Sequence, residues 1–145
     1  MPEKTLDITC TRRIEFDAAH RVMEHESKCK HLHGHRYVVE ATFAATKLDA
    51  LGRVIDFGVI KEKLGVWVDE HWDHTTILWD KDKALGESIE GHTGQRIFYL
   101  PYNPTAENLA LYLFSTICPD MFRDSGVTCG RIKIFETPNC SATAQ

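Results

Sequence analysis

Two runs of strand character, residues 5–17 and 35–46, bracket a histidine-rich segment, and this arrangement constrains the chain more than any other feature. Residues 5–17 carry β-branched side chains in partial alternation and predict a strand ending near Phe16. Residues 35–46, His35-Arg-Tyr-Val-Val-Glu-Ala-Thr-Phe-Ala-Ala-Thr, predict a second strand of similar length. Strands of matched length joined through one connection pair as a hairpin, here with a long loop of functional character between them.

The rest of the chain reads as a mixture of helix and strand. Asp49–Gly52 is a turn signal, followed by a short apolar run from Arg53 to Phe57. Ile60, Leu64, Trp67 and Val68 recur at helical spacing between Gly58 and His71, although Gly65 costs such a helix about 1 kcal/mol against alanine. Residues 79–95 are polar and glycine-containing and predict an excursion loop, and Arg96–Leu100 is a short strand candidate. Asn103-Pro-Thr-Ala-Glu-Asn-Leu opens a second helix, with Thr105 as N-cap and Glu107 in the first turn. Leu109, Leu113, Phe114 and Ile117 supply its apolar face. A last strand spans Val127–Glu136, with Ile132, Ile134 and Glu136 on one face. The expected fold is therefore α+β: an antiparallel sheet of about four strands with two helices on one face. So small a sheet leaves edges and a face that oligomerisation would cover.

No linker or repeat divides the chain, so residues 1–145 are expected to form a single domain, and a hydrophobic content of 43% allows a full core. The net charge of −4 argues against a general nucleic-acid binder. No stretch approaches the roughly 18 apolar residues that span a bilayer, which argues against a membrane protein. Met1-Pro2-Glu3-Lys4 lacks the apolar core of a secretory signal, so the expected address is cytoplasmic. The five cysteines are dispersed, with no C-x-x-C pair, and read as reduced thiols.

His31, His33 and His35 alternate along the chain. Residues two apart on an extended backbone project to one face, so His33 and His35 can converge on one ion, with Gly34 leaving room between them. His20, at the end of the preceding strand, supplies a third imidazole if the hairpin aligns it. Three imidazoles with an open fourth position are the layout of a catalytic zinc site, though imidazole also suits copper, iron and nickel. His31 shares the parity but sits nearer the loop, as a supporting residue. Cys29, four residues before His33, is either a base or nucleophile beside the metal or a buried structural thiol. Asp73-His74 is an acid–imidazole pair of the kind that moves protons, and equally an ordinary loop pair. Glu136 is either a strand-end carboxylate in water or a partnered acid facing the N–H donors of a heterocycle.

Six segments together carry a family resemblance: Phe16-Asp-Ala-Ala-His20, Cys29-x3-His33-Gly-His35, Val54-Ile-Asp-Phe57, Asp73-His74, Asn103-Pro-Thr-Ala-Glu107 and Phe135-Glu136-Thr. In order and approximate spacing the chain resembles the 6-pyruvoyltetrahydropterin synthase family over nearly its whole length. The single cysteine four residues before the histidine pair favours the bacterial 6-carboxytetrahydropterin synthase branch of queuosine biosynthesis. The resemblance implies the tunnelling fold, of β-β-α-α-β-β type, in a homo-oligomer, commonly a hexamer, with active sites between subunits. It implies one zinc ion per subunit on His20, His33 and His35, Cys29 as proton-abstracting base, and Asp73 with His74 as a relay. Glu136 would anchor the 2-amino-4-oxo edge of a pterin, with Thr105 assisting.

The implied reaction converts 7,8-dihydroneopterin triphosphate to 6-carboxy-5,6,7,8-tetrahydropterin. The alternatives are the pyruvoyl product of biopterin synthesis, or a non-catalytic pterin- or metal-binding relative. Lys28, Lys30, Arg21 and Arg36 are candidates for the triphosphate by location. The chain departs from the compact family pattern in a longer stretch from Ile77 to Tyr102 and in Thr75-Thr76 after His74.

Overall fold

The computed structural model describes residues 8–145, so Met1–Lys4 and the first residues of the 5–17 run lie outside the described residues. The two long strands form as expected and run further toward each other than their alternation alone indicates. Strand β1 is Ile8–His20 and strand β2 is His33–Ala45. They pair antiparallel from Ile8 opposite Ala45 to His20 opposite His33. This register places Ile14, Phe16, Ala18 and His20 on one face together with Tyr37, Val39, Ala41 and Phe43.

Helix α1 runs from Phe57 to His71 in three pieces: Phe57–Ile60, a wider turn at Lys61–Gly65, and Val66–His71. Asp56 caps it, its side chain accepting from the Gly58 amide. Ile60, Leu64, Val68 and the following Trp72 are fully buried against the inner face of β1 and β2. Removing a side chain such as Leu64 would leave a cavity costing about 2–5 kcal/mol. Strand β3, Thr75–Trp79, then runs parallel to β1, and β4, Ile97–Leu100, parallel to β3.

Helix α3, Ala106–Tyr112 and its continuation through Leu113–Ile117 and Cys118–Met121, covers the same core through Leu109, Ala110 and Leu113. Strands β5, Thr128–Thr137, and β6, Cys140–Ala144, complete an antiparallel half. The sheet order is β4-β3-β1-β2-β5-β6.

The α+β class agrees with the sequence reading, but three details are corrected. The sheet has six strands rather than about four, and it is mixed, because β3 and β4 join it in parallel. The expected loop at 79–95 is mostly helix: α2, Lys83–Thr93, stops at Gly94 in the left-handed conformation (φ 73°). Among the described residues there are accordingly three long helices rather than two. What holds α2 is tertiary. A Cβ at Gly86 would overlap the Tyr99 hydroxyl, so glycine lets the helix lie on β4. Asp82, just before α2, is buried and receives a two-pronged hydrogen bond from Arg21 at 2.5 and 2.6 Å.

Candidate metal centre and active site

The end of the β1–β2 ribbon brings three imidazoles together. His20 and His33 are register partners, and His35 lies two residues further along the same face of β2. Their ligand nitrogens all lie within 4.8 Å of one another. Each of the first two rings has its Nδ1 committed as a donor: His20 to the Pro104 carbonyl at 2.7 Å, His33 to the His31 carbonyl at 2.7 Å. A carbonyl can only accept, so the proton sits on Nδ1 in both neutral rings and each Nε2 carries a lone pair. Those two Nε2 atoms stand 3.2 Å apart.

His35 Nε2 is buried without a hydrogen-bond partner. The Glu136 Oε1 atom lies 3.3 Å from it but outside hydrogen-bonding geometry. Two facing lone pairs and one orphaned nitrogen are the donor set of a metal cation, and three nitrogen donors with an open side suit zinc. Burial pushes the His20 and His35 imidazoles below their ordinary value, with His33 acting in the same direction. Both rings are thereby kept in the neutral, ligating form near neutral pH.

The supporting residues come from the turn before α3. Asn103 receives the Met23 amide at 2.9 Å and donates to the Met23 carbonyl at 3.1 Å, tying this turn to the segment after His20. Pro104 then orients His20 through its carbonyl, and Thr105 caps α3 by accepting from the Asn108 amide at 3.1 Å. His31 contributes its backbone carbonyl, while its ring is exposed. Cys29 is half-buried in the turn Lys28–Lys30, and its carbonyl accepts from the Val22 amide at 2.8 Å, which ties this turn back to the segment after His20. Tyr37, read from the sequence only as a strand residue, is fully buried with its ring edge-on to His20 and His35.

Asp73 and His74 stand elsewhere. Asp73 accepts from the Asp17 amide at 3.0 Å, its Oδ2 lies 2.9 Å from His74 Nδ1, and His74 adopts a left-handed backbone (φ 58°). These two gather with the Asp17 carboxylate, and Arg36 donates to Asp17 at 2.9 Å. Asp17 and Arg36 alternate out of phase with His20 and His35, so this group lies on the opposite face of the ribbon from the three histidines. Burial alone would raise the Asp73 carboxyl, but the Asp17 amide, His74 and Arg36 outweigh it and hold it below its ordinary value.

Of the four basic candidates, Arg36 is thus on the opposite face and Arg21 is engaged by Asp82. Arg21 and Lys30 nevertheless border one cleft with His31.

The family model of 6-pyruvoyl tetrahydropterin synthase matches residues 9–145. The chain belongs to this family. Among similar proteins, the 6-carboxy-5,6,7,8-tetrahydropterin synthase of Rickettsia bellii is 56% identical over 133 residues, 92% of this chain and 96% of that protein. The protein of the same name from Rickettsia conorii is 53% identical with the same coverage. Among solved structures, an uncharacterized protein from Wolinella succinogenes superposes with a TM-score of 0.80 at 21% identity, covering 96% of this chain and 98% of that one. The 6-pyruvoyl tetrahydropterin synthase of Caenorhabditis elegans gives 0.69 at 23%, covering 97% and 96%. These structural likenesses speak for the fold, and the six-stranded mixed sheet with its helices is the tunnelling fold of the family. No helix among the described residues is long and apolar enough to cross a membrane.

Proposed function

We propose that this chain catalyses the conversion of 7,8-dihydroneopterin triphosphate to 6-carboxy-5,6,7,8-tetrahydropterin, releasing acetaldehyde and triphosphate, as a cytoplasmic enzyme of queuosine biosynthesis. The observation that carries this reading is the Glu136 carboxylate 3.3 Å from His35 Nε2. A heterocycle-binding acid and a metal-ligand cluster then share one site. The Rickettsia relatives, named for that product, support the same choice.

His20, His33 and His35 are the residues that would hold one zinc ion per subunit. When bound there, zinc supplies Lewis-acid polarisation of the substrate's side-chain hydroxyls and so acidifies the neighbouring C–H. Glu136 holds the 2-amino-4-oxo edge of the ring by accepting its N–H donors, and Thr105 assists with a hydroxyl whose oxygen already caps α3. Cys29 removes the proton from the side chain. His74, held by Asp73 at 2.9 Å, returns a proton on the other side. Lys28 and Lys30 in the turn after β1, with Arg21 beside Lys30 at one cleft, meet the triphosphate.

One chain keeps Asp73 and His74 on the face away from its own histidines, so we assign them to the site of a neighbouring subunit. The chain works as one domain within a homo-oligomer, a hexamer in this reading. The unpaired outer edges of β4 and β6 are where further sheet pairing would join copies.

The test is product analysis by mass spectrometry after incubating the zinc-loaded protein with 7,8-dihydroneopterin triphosphate. The 6-carboxy product with acetaldehyde is expected, and 6-pyruvoyltetrahydropterin as sole product would overturn the assignment. Full turnover by Cys29→Ala would remove Cys29 from the mechanism.

A further inference from the structure

His74 is one of two residues other than glycine, among the described residues, whose backbone is left-handed, at φ 58°. A side chain in that region costs about 1–3 kcal/mol, and such a conformation persists only where its surroundings fix it. Three ties do so. The His74 amide donates to the Asp17 carbonyl at 2.6 Å, the ring Nδ1 lies 2.9 Å from Asp73 Oδ2, and the His74 carbonyl accepts from Gln95 Nε2 at 3.2 Å. The first two come from β1 and from the adjacent residue. The third comes from beyond α2, and the function proposed above makes no use of it.

Gln95 is itself held at both ends. Its Oε1 accepts from the hydroxyl of Thr76 at 2.5 Å, and Thr76 is buried. A carbonyl can only accept, so the NH2 end of Gln95 must face His74 and the oxygen end Thr76. Behind it, the Gln95 backbone amide donates to Thr93 Oγ1 at 3.1 Å, and the Thr93 hydroxyl donates to the Ile89 carbonyl at 2.6 Å. Gly94, left-handed, turns the chain out of α2 into Gln95, and β4 then runs beside Thr76. The sequence marks Thr75-Thr76 and the stretch from Ile77 to Tyr102 as two separate departures from the compact family pattern. In the fold they meet: the long stretch returns Gln95 to Thr76, and the joined pair grips the backbone of His74.

The His74 side chain is 77% exposed, so fixing its backbone buries nothing. A turn alone would be served better by glycine, which adopts a left-handed conformation without cost. What the ties fix is the direction of an exposed imidazole.

We propose that Gln95 is a positioning residue for the reaction: its amide holds the His74 carbonyl and so keeps the His74 ring at the angle from which it delivers a proton. The inference rests on the reading of His74 as a proton carrier given above, and it deepens that reading. Gln95 acts through His74 rather than on the substrate. A misplacement of about 1 Å at a reacting group can slow a reaction about 100-fold, so one exposed hydrogen bond can matter more to turnover than to stability.

The experiment measures kcat and KM for 7,8-dihydroneopterin triphosphate in zinc-loaded wild type, Gln95→Ala and Gln95→Glu. Both substitutions are repeated in a His74→Ala chain, with enzyme in excess and product counted by mass spectrometry after long incubation. General acid–base catalysis contributes about 10²–10⁴-fold, so product still forms there at a measurable rate. Glutamate keeps the acceptor for Thr76 but cannot donate to the His74 carbonyl. Both variants are therefore expected to lose about 10-fold in kcat with KM within about 2-fold, the pattern of an interaction made only in the transition state. In the His74→Ala chain neither should slow the reaction further, because residues that act as one unit are not additive. A wild-type kcat in Gln95→Glu would overturn the inference. A raised KM with kcat unchanged would overturn it as well, by placing Gln95 on the substrate. So would an equal loss in the His74→Ala chain, which would mark damage to the fold alone. If His74→Ala by itself turned over like wild type, the relay reading would fail and this inference with it. An inactive wild type would instead overturn the proposed reaction as a whole.

Discussion

The Nε2 atoms of His20 and His33 face each other at 3.2 Å across a single register pair, with both Nδ1 protons already given to backbone carbonyls. Neither ring can relieve the contact by changing tautomer without losing its carbonyl bond. A shared cation would resolve the conflict, and His35 would bring the third nitrogen. The three-histidine cluster is thus a consequence of strand register at the end of β1 and β2, with Pro104 and His31 acting through their backbones.

Asn103 should matter to the metal without touching it. Its amide bridges both backbone groups of Met23 and so holds Pro104 against His20. Asn103→Ala is expected to destabilise the fold by about 1–3 kcal/mol in denaturant unfolding. It should also weaken zinc binding about 10-fold in a chelator competition, the scale of supporting-residue effects at metal sites. Unchanged zinc affinity would show that His20 is oriented without this turn.

Asp73 should make stability depend on pH in the acid range. Its carboxyl is held below the ordinary 3.8 in the folded chain. A depressed folded value adds stability above the ordinary value, and that stability drains away as pH falls from there through the folded value. Asp73→Asn should therefore be less stable than wild type at neutral pH, with the gap narrowing below the ordinary carboxyl value. Urea unfolding across that range checks it, and a gap that stays constant with pH would contradict the assignment.

Gly86 tests whether the segment after β3 is a packed helix. Gly86→Ala puts a methyl group into the Tyr99 hydroxyl and should cost about 1–3 kcal/mol of unfolding free energy. Tyr99→Phe in the same chain should recover part of that loss. Full recovery is not expected, because Tyr99 Cζ would still lie 2.8 Å from the new Cβ. A neutral Gly86→Ala would mean that α2 moves freely off β4.

The elements legible in the sequence were those whose side chains report their surroundings. Alternation marked β1, β2 and β5, and helical spacing with a capping threonine marked α1 and α3. Thr75–Trp79 gave no such signal, because Thr75, Thr76, Ile77 and Leu78 are all buried and a strand covered on both faces does not alternate. Lys83–Thr93 contains two glycines and buries little, so it is helical by virtue of Tyr99 and the Arg21–Asp82 pair. Cys140–Ala144 is small and polar and becomes a strand by pairing with β5.

The same distinction governs the site. Parity on an extended backbone brought His33 and His35 together in advance, and the register added His20. Tyr37 shares that parity, but a tyrosine in a strand reads as core. The Pro104 carbonyl has no sequence signal, since every residue carries one. The separation of Asp73 and His74 from the histidines follows from sheet order, with β3 entering beside β1 and placing them on the opposite face. Spacing along the chain carries no information about that.

Elemental analysis of the purified protein tests the central claim most directly, made on wild type and on His33→Ala, His35→Ala together. The account predicts about one zinc per chain in wild type, the load of a single three-histidine site, and its loss in the double variant, which keeps only one of the three ligands. Zinc retained at the wild-type level by the double variant would contradict it.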